Sequence, residues 1–252
     1  MIPSPAMSVR LLQRQTALLA RIRVDTGASG DLEPSSAALE RRTLRVGAAL
    51  AVALVALQSI AHLIDVVAFD LRFAMVNADS DSGAFAWMSS VATFGAALLL
   101  CLIAIVWPTR IWPLVALAGA VAFMSLDDMV GLHERVSALE TTLGPIEHFA
   151  RIFWPLVFMP LLAATLVGLL GIAAGLRTAP ARTLLAGLAL LVLAIALEMA
   201  SPILFALGSD HGELAYELEG ILEEGAELAG WILVATALAA ALLTSSARSP
   251  GE

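Results

Sequence analysis

The chain contains no lysine: all 14 of its basic residues are arginines. A GC-rich coding bias accounts for that without a functional reading. There is a single cysteine, Cys101, inside an apolar run, so no disulfide can form within the chain. Charge is scarce as well. Charged residues make up 14% of the 252 positions, against about 25% in a soluble domain. Hydrophobic residues reach 60%, and mean hydropathy is +0.89. Together these values exclude a soluble globular enzyme, a disordered chain and a disulfide-stapled domain. The sequence also lacks a Gly-rich phosphate loop, a haem-attachment motif, a nucleic-acid signature and a fixed-period repeat. What remains is an all-α, polytopic integral membrane bundle.

A helix crosses the ~30 Å hydrocarbon core with about 20 apolar residues. Six segments reach that length: 45–68, 85–107, 111–133, 152–175, 183–207 and 218–243. Pro108 and Pro180 stand where helices should stop. The chain divides into a cytoplasmic N-terminal segment (1–43), a six-helix domain (44–245) and a short cytoplasmic tail (246–252). Within the first segment, 7–24 has the pattern of an amphipathic helix and 26–36 that of a flexible linker. A solvated tail is the plainer reading of 7–24. Arginine placement orients the bundle with both termini inside. In that orientation Arg10, Arg14, Arg21, Arg23, Arg41, Arg42, Arg45, Arg110, Arg177, Arg182 and Arg248 are inner, leaving only Arg72, Arg135 and Arg151 outer. The expected location is an inner (plasma) membrane, with the lipid bilayer as the first partner and no nucleic acid.

The acids follow the opposite pattern. Only Asp25, Asp31, Glu33, Glu40 and Glu252 fall on the inner side. Loop acids such as Asp79, Asp81 and Asp210 are ordinary solvated charges, and Asp70, His148 and His211 belong to loops or the interface. The others lie inside the spans. At 1.5 Å per residue, His62 stands roughly 25 Å from the inner boundary, Asp127 about 24 Å, Glu198 about 22 Å and Glu227 about 24 Å. Asp65, Asp128, His133, Glu134, Glu223 and Glu224 lie close by in sequence. Four helices thus place ionisable groups in one outer layer.

Helical phase puts Asp127 and Glu134 on nearly one face, makes His62 and Asp65 neighbours, and gathers Glu217, Glu224 and Glu227 into one sector. Glu219 falls outside that sector and Glu223 at its edge, which suits supporting or headgroup-facing positions. The expected pocket is walled by spans one, three, five and six. Spans two and four carry few polar groups and should face lipid or a second copy, with Gly171-x-x-x-Gly175 as a close-packing motif.

A charged side chain near the bilayer centre costs on the order of 2.5–3.5 kcal/mol on translocon scales, so five or six approach about 15–20 kcal/mol. Three solutions relieve that cost: protonation, access to outside water, or divalent cations. Carboxylates with one or two imidazoles from facing helices are the ligand set of di-metal bundles. The candidate metal ligands are Asp127, Glu198, Glu224, Glu227, His62, His133 and Glu134, with Asp65, Asp128 and Glu223 in support. Oxygen-rich donors favour iron or manganese over zinc or calcium. The same carboxylates could serve an ion- or proton-coupled carrier. The inner half of every span is almost purely apolar, however, and offers no stepping stones. A polar layer that only fixes helix register is the third reading.

Three strings carry a resemblance. Phe123-Met-Ser-Leu-Asp-Asp-Met-Val-Gly-Leu-His-Glu-Arg-Val136 resembles "FLSLDE…LHER". Ala196-Leu-Glu-Met-Ala200 resembles "GLEM", and Leu218-Glu-Gly-Ile-Leu-Glu-Glu-Gly-Ala-Glu-Leu-Ala-Gly230 resembles "LEEGLEMLG". The chain is similar, over spans three to six, to a family of uncharacterised multi-pass bacterial membrane proteins. Asp128 stands where that pattern has Glu, and Ala226 and Ala229 where it has bulkier residues. The resemblance implies a bacterial origin and points to the same acidic positions. The expected function is a carboxylate-rich metal site in an oxidoreductase or hydrolase acting on a lipid-accessible substrate.

Overall fold

In the computed structural model of the chain, residues 36–78, 80, 83–107, 110–132, 135–136, 150–200, 204 and 213–246 are described, with 150–156 and 245–246 as backbone only. The predicted amphipathic helix at 7–24 and most of the linker at 26–36 lie outside them. So do His133, Glu134, His148, His211, Pro202, Asp79, Asp81 and Asp210.

The six apolar runs form six helices. They are α1 (Ser36–Ile64), α2 (Ala84–Val106), α3 (Ile111–Val130), α4 (Ala150–Gly175), α5 (Thr178–Glu198) and α6 (Leu214–Ser246). Each is long and apolar enough to cross a membrane, which makes the chain a multi-pass membrane protein. Helix α1 begins nine residues before its apolar run. Its extra turns carry Glu40, Arg41 and Arg42, and buried Glu40 meets Arg177 of the α4–α5 link at 3.3 Å.

Helix ends follow local chemistry. Pro180 sits in the first turn of α5, where a missing N–H costs nothing. Helix α3 stops at Val130 because Gly131 takes the left-handed conformation, φ 59, and returns its N–H to Asp127 O at 2.8 Å. That break corrects the sequence expectation for 111–133. Glu134, expected to share a face with Asp127, lies outside the described residues. Helix α1 passes into a π-helical turn, Asp65–Phe69. The chain then reverses through Asp70 and Leu71, both at φ 56.

Helix α6 is the hub, packed extensively on α1, α2 and α5, while α2 also packs on α3. Association inside a bilayer rests on close packing, because lipid is as apolar as the side chains. The closest approach joins α5 and α6 at Gly187 and Gly230. A Cβ on Gly187 would lie 2.7 Å from Gly230 O and 3.1 Å from Val234 N. One on Gly230 would lie 3.0 Å from Gly187 O. Gly47 of α1 likewise faces the Thr236 side chain of α6. By contrast, Gly171 and Gly175 are exposed, with nothing within 4 Å of where a Cβ would stand. The glycine pair that brings two helices together is therefore not the one with the motif spacing.

The apolar core runs through Leu100, Ile103, Leu117, Leu184, Leu188 and Leu238. Helix α4 stays peripheral, as expected, and exposes Val157, Met159, Val167 and Leu170. Helix α2 does not. Its buried residues recur as Phe85, Ala86, Ser89, Ser90, Thr93, Ala96, Ala97, Leu100, Ile103 and Ala104. This is a continuous 3.6-residue face set against α3 and α6. Its opposite face, with Trp87, Val91, Phe94, Leu98, Leu102 and Ile105, is exposed, so span two presents one side to its surroundings, as expected, and packs into the bundle with the other.

Candidate functional site

The polar layer is built where α1, α3 and α5 end and α2 and α6 begin. Helix α2 supplies the hydroxyls. Ser89 Oγ donates to Glu227 Oε1 at 2.9 Å, tying α2 to α6. Ser90 Oγ makes a short hydrogen bond to Asp128 Oδ2, tying α2 to α3. Ser125 Oγ of α3 returns a hydrogen bond to Ser90 O at 2.9 Å. Thr93 Oγ1 donates to Ser89 O one turn back at 2.8 Å. Helix α6 supplies the centre of the cluster. Glu224 lies within electrostatic reach of Glu227 and Glu223 on its own helix, Asp128 of α3 and Glu198 at the end of α5. These carboxylates are all half-buried. Hydroxyl donors orient two of them, and each oriented carboxylate has two oxygens and about four lone-pair sites.

Asp128 contacts α2 through Ser90. Its neighbour Asp127 leaves the helix about 100° away in direction. Asp127 is half-buried beside the break at Gly131. Glu219, expected at a supporting or headgroup-facing position, is buried, because α6 is enclosed on several sides.

A second polar contact lies apart from the first. His62 is fully buried near the end of α1. The Ala78 backbone N–H donates to its Nδ1 at 3.1 Å. A backbone amide only donates, so Nδ1 holds a lone pair and the proton of the neutral ring sits on Nε2. Nε2 stands 2.9 Å from Glu217 Oε2. The carboxylate lies off the line along which the ring N–H points, so the contact is electrostatic and not an aligned hydrogen bond. Metal-bound histidines usually donate through the nitrogen that does not touch the ion. Here that nitrogen accepts. With the ring so held, neither nitrogen has a lone pair for an ion, and His62 serves Glu217 and the connector. Glu217 and Glu224 are seven residues apart, about 10 Å along α6. Asp65, also buried, accepts the Phe73 N–H at 3.0 Å and 3.3 Å on its two oxygens, holding the reversed chain.

The structure therefore gathers Asp128, Glu198, Glu223, Glu224 and Glu227 into one cluster. It places His62 and Asp65 in separate contacts, and His133 and Glu134 lie outside the described residues. Among the described residues, no three His, Cys, Asp or Glu side chains stand close enough together to hold one ion. Sequence reasoning passed over Ser89 and Ser90 and named Glu217 only as a matter of phase. The signal for the serines was present: Ser89, Ser90 and Thr93 share the face that small Ala96 and Ala97 continue. Hydroxyls barely change hydropathy, so a reading keyed to charge missed them.

A family model described as "Domain of unknown function (DUF8692)" matches residues 44–242. No curated protein and no solved structure matches the chain.

Proposed function

The chain belongs to this family, and we propose that its acidic cluster is a divalent-cation site set within the outer part of a bacterial inner membrane, both termini being cytoplasmic. Asp128, Glu198, Glu224 and Glu227 are the ligand set, with Asp127 and Glu223 at its margin; their side chains, not yet within reach of one ion, would have to close on it as it binds. The observation that carries this reading is the convergence of carboxylates from α3, α5 and α6 around Glu224, two of them already oriented by serines of α2. With His62 committed elsewhere, the described donors are oxygens alone. That places manganese ahead of iron, brings calcium closer and makes zinc less suitable. A metal held there would act as a Lewis acid or redox centre on a substrate entering from the lipid, in a hydrolase or oxidoreductase.

An ion- or proton-coupled carrier would use the same carboxylates. Leu100, Ile103, Leu117, Leu184, Leu188 and Leu238 pack the inner half of the bundle, which favours a site over a path through it. The test is calorimetric titration of chelator-stripped protein in detergent with Mn²⁺, Fe²⁺, Ca²⁺ and Zn²⁺. The expected result is about one or two ions per chain, with affinity reduced at least about tenfold in Glu224→Gln and Glu227→Gln and unchanged in Glu40→Gln. Absence of saturable binding for every ion would overturn the proposal.

A further inference from the structure

We propose that His62 is a proton-operated latch on the connector between α1 and α2. The ring is fully buried and touches two different parts of the fold. Nδ1 accepts the Ala78 N–H of the connector, and Nε2 faces Glu217 of α6. An added proton has one place to go, the Nδ1 lone pair. Two N–H donors then oppose each other, and the hydrogen bond to Ala78 breaks. The same proton charges the ring, whose attraction to Glu217 strengthens. Protonation thus releases the ring from the connector and binds it to α6, with one proton taken up and no covalent bond changed.

Glu217 is the charged group facing the ring from α6. Asp65, one turn further along the chain, is already held by the Phe73 N–H. The connector presents a backbone amide to the ring. From α2, Phe85 and Met88 bring apolar surface to the cluster that contains Ala78, and Gln58 on α1 reaches Met88 Sδ at 3.9 Å. Because Asp65 anchors the chain at Phe73, release affects the stretch around Ala78 and leaves the start of the connector in place. The latch is independent of the proposed cation site, which lies two turns away on α6.

Hydrogen–deuterium exchange of the full chain in lipid nanodiscs tests this, comparing about pH 8 with about pH 5. After correction for intrinsic rates, the peptide bearing Ala78 should exchange roughly two- to tenfold faster at the lower pH, as expected for loss of one buried hydrogen bond. Peptides of α6 should not change. His62→Asn keeps an acceptor near the Nδ1 position and cannot titrate, so its protection should be the same at both pH values. Equal protection in wild type at both pH values overturns the latch, as does a wild-type-like pH response in His62→Asn. If that variant does not fold, ¹⁵N-histidine NMR of wild type at high pH decides instead. The proton on Nε2 supports the latch, and the proton on Nδ1 contradicts it.

Discussion

The two ends of the same helices are held by different physics. From mid-helix to the end away from the polar layer, α5 meets α6 through Gly187 and Gly230, and the leucines of α2, α3, α5 and α6 interlock. No directed bond is needed there, only shape. At the other end, Ser89, Ser90, Ser125, Glu227, Asp128, His62 and Glu217 join the helices through specific polar contacts. The apolar end can tolerate a loss of chemistry but not a change of volume. The polar end should behave the opposite way. A bundle that needed only to fold could be built from the first kind of packing throughout, which is why the proposed site is sought in the second.

The contrast is broken most severely by Gly187→Leu. The new Cβ would meet backbone atoms of α6, which cannot move aside as a side chain can. A loss of about 3 kcal/mol or more is expected, read as a lower unfolding midpoint in detergent. Gly171→Leu is the control, with no neighbour in reach and a change within about 0.5 kcal/mol. Next comes removal of metal. If the cluster holds an ion at about a hundred times its dissociation constant, chelation lowers stability by about 2.7 kcal/mol. The same chelation should not move the midpoint of Glu224→Gln. Ser89→Ala ranks third. It removes the donor to Glu227 and should weaken metal binding about tenfold, as loss of an outer-shell partner does, while overall stability falls by about 1–2 kcal/mol. Arg177→Ala is the smallest. Its contact with Glu40 involves a side chain more than half exposed, so solvent screening limits the change to about 1 kcal/mol or less. Added salt should reduce even that difference.

Much of the fold was legible because bilayer thickness sets helix length. Six apolar runs became six helices, and the acidic layer was placed at one end from counting residues alone. Details that depend on partners were not legible. Gly171-x-x-x-Gly175 faces outward, as expected of span four, whereas Gly187 and Gly230, which carry no motif spacing, form their pair only once α5 lies on α6. The role of Asp128 over Asp127 turns on which carboxylate meets Ser90, a question of rotation that spacing leaves open. His62 was read as an additional ligand or a proton carrier because it lies in the acidic layer. Its actual partner, the Ala78 amide, arrives through a π-helical turn and a reversal at Asp70 and Leu71 that no periodicity announces. Gly131 did announce itself, as a glycine near a helix end.

The central claim is that the acidic cluster carries a divalent ion. Elemental analysis tests it most directly, on protein purified without a histidine tag or chelator beside a Glu198→Ala/Glu227→Ala variant whose helix content matches wild type. The account predicts about one or two ions per wild-type chain and none in the variant. Metal-free protein in both cases, persisting after reconstitution with manganese, iron, calcium and zinc, would contradict it and leave protons or water to balance the carboxylates.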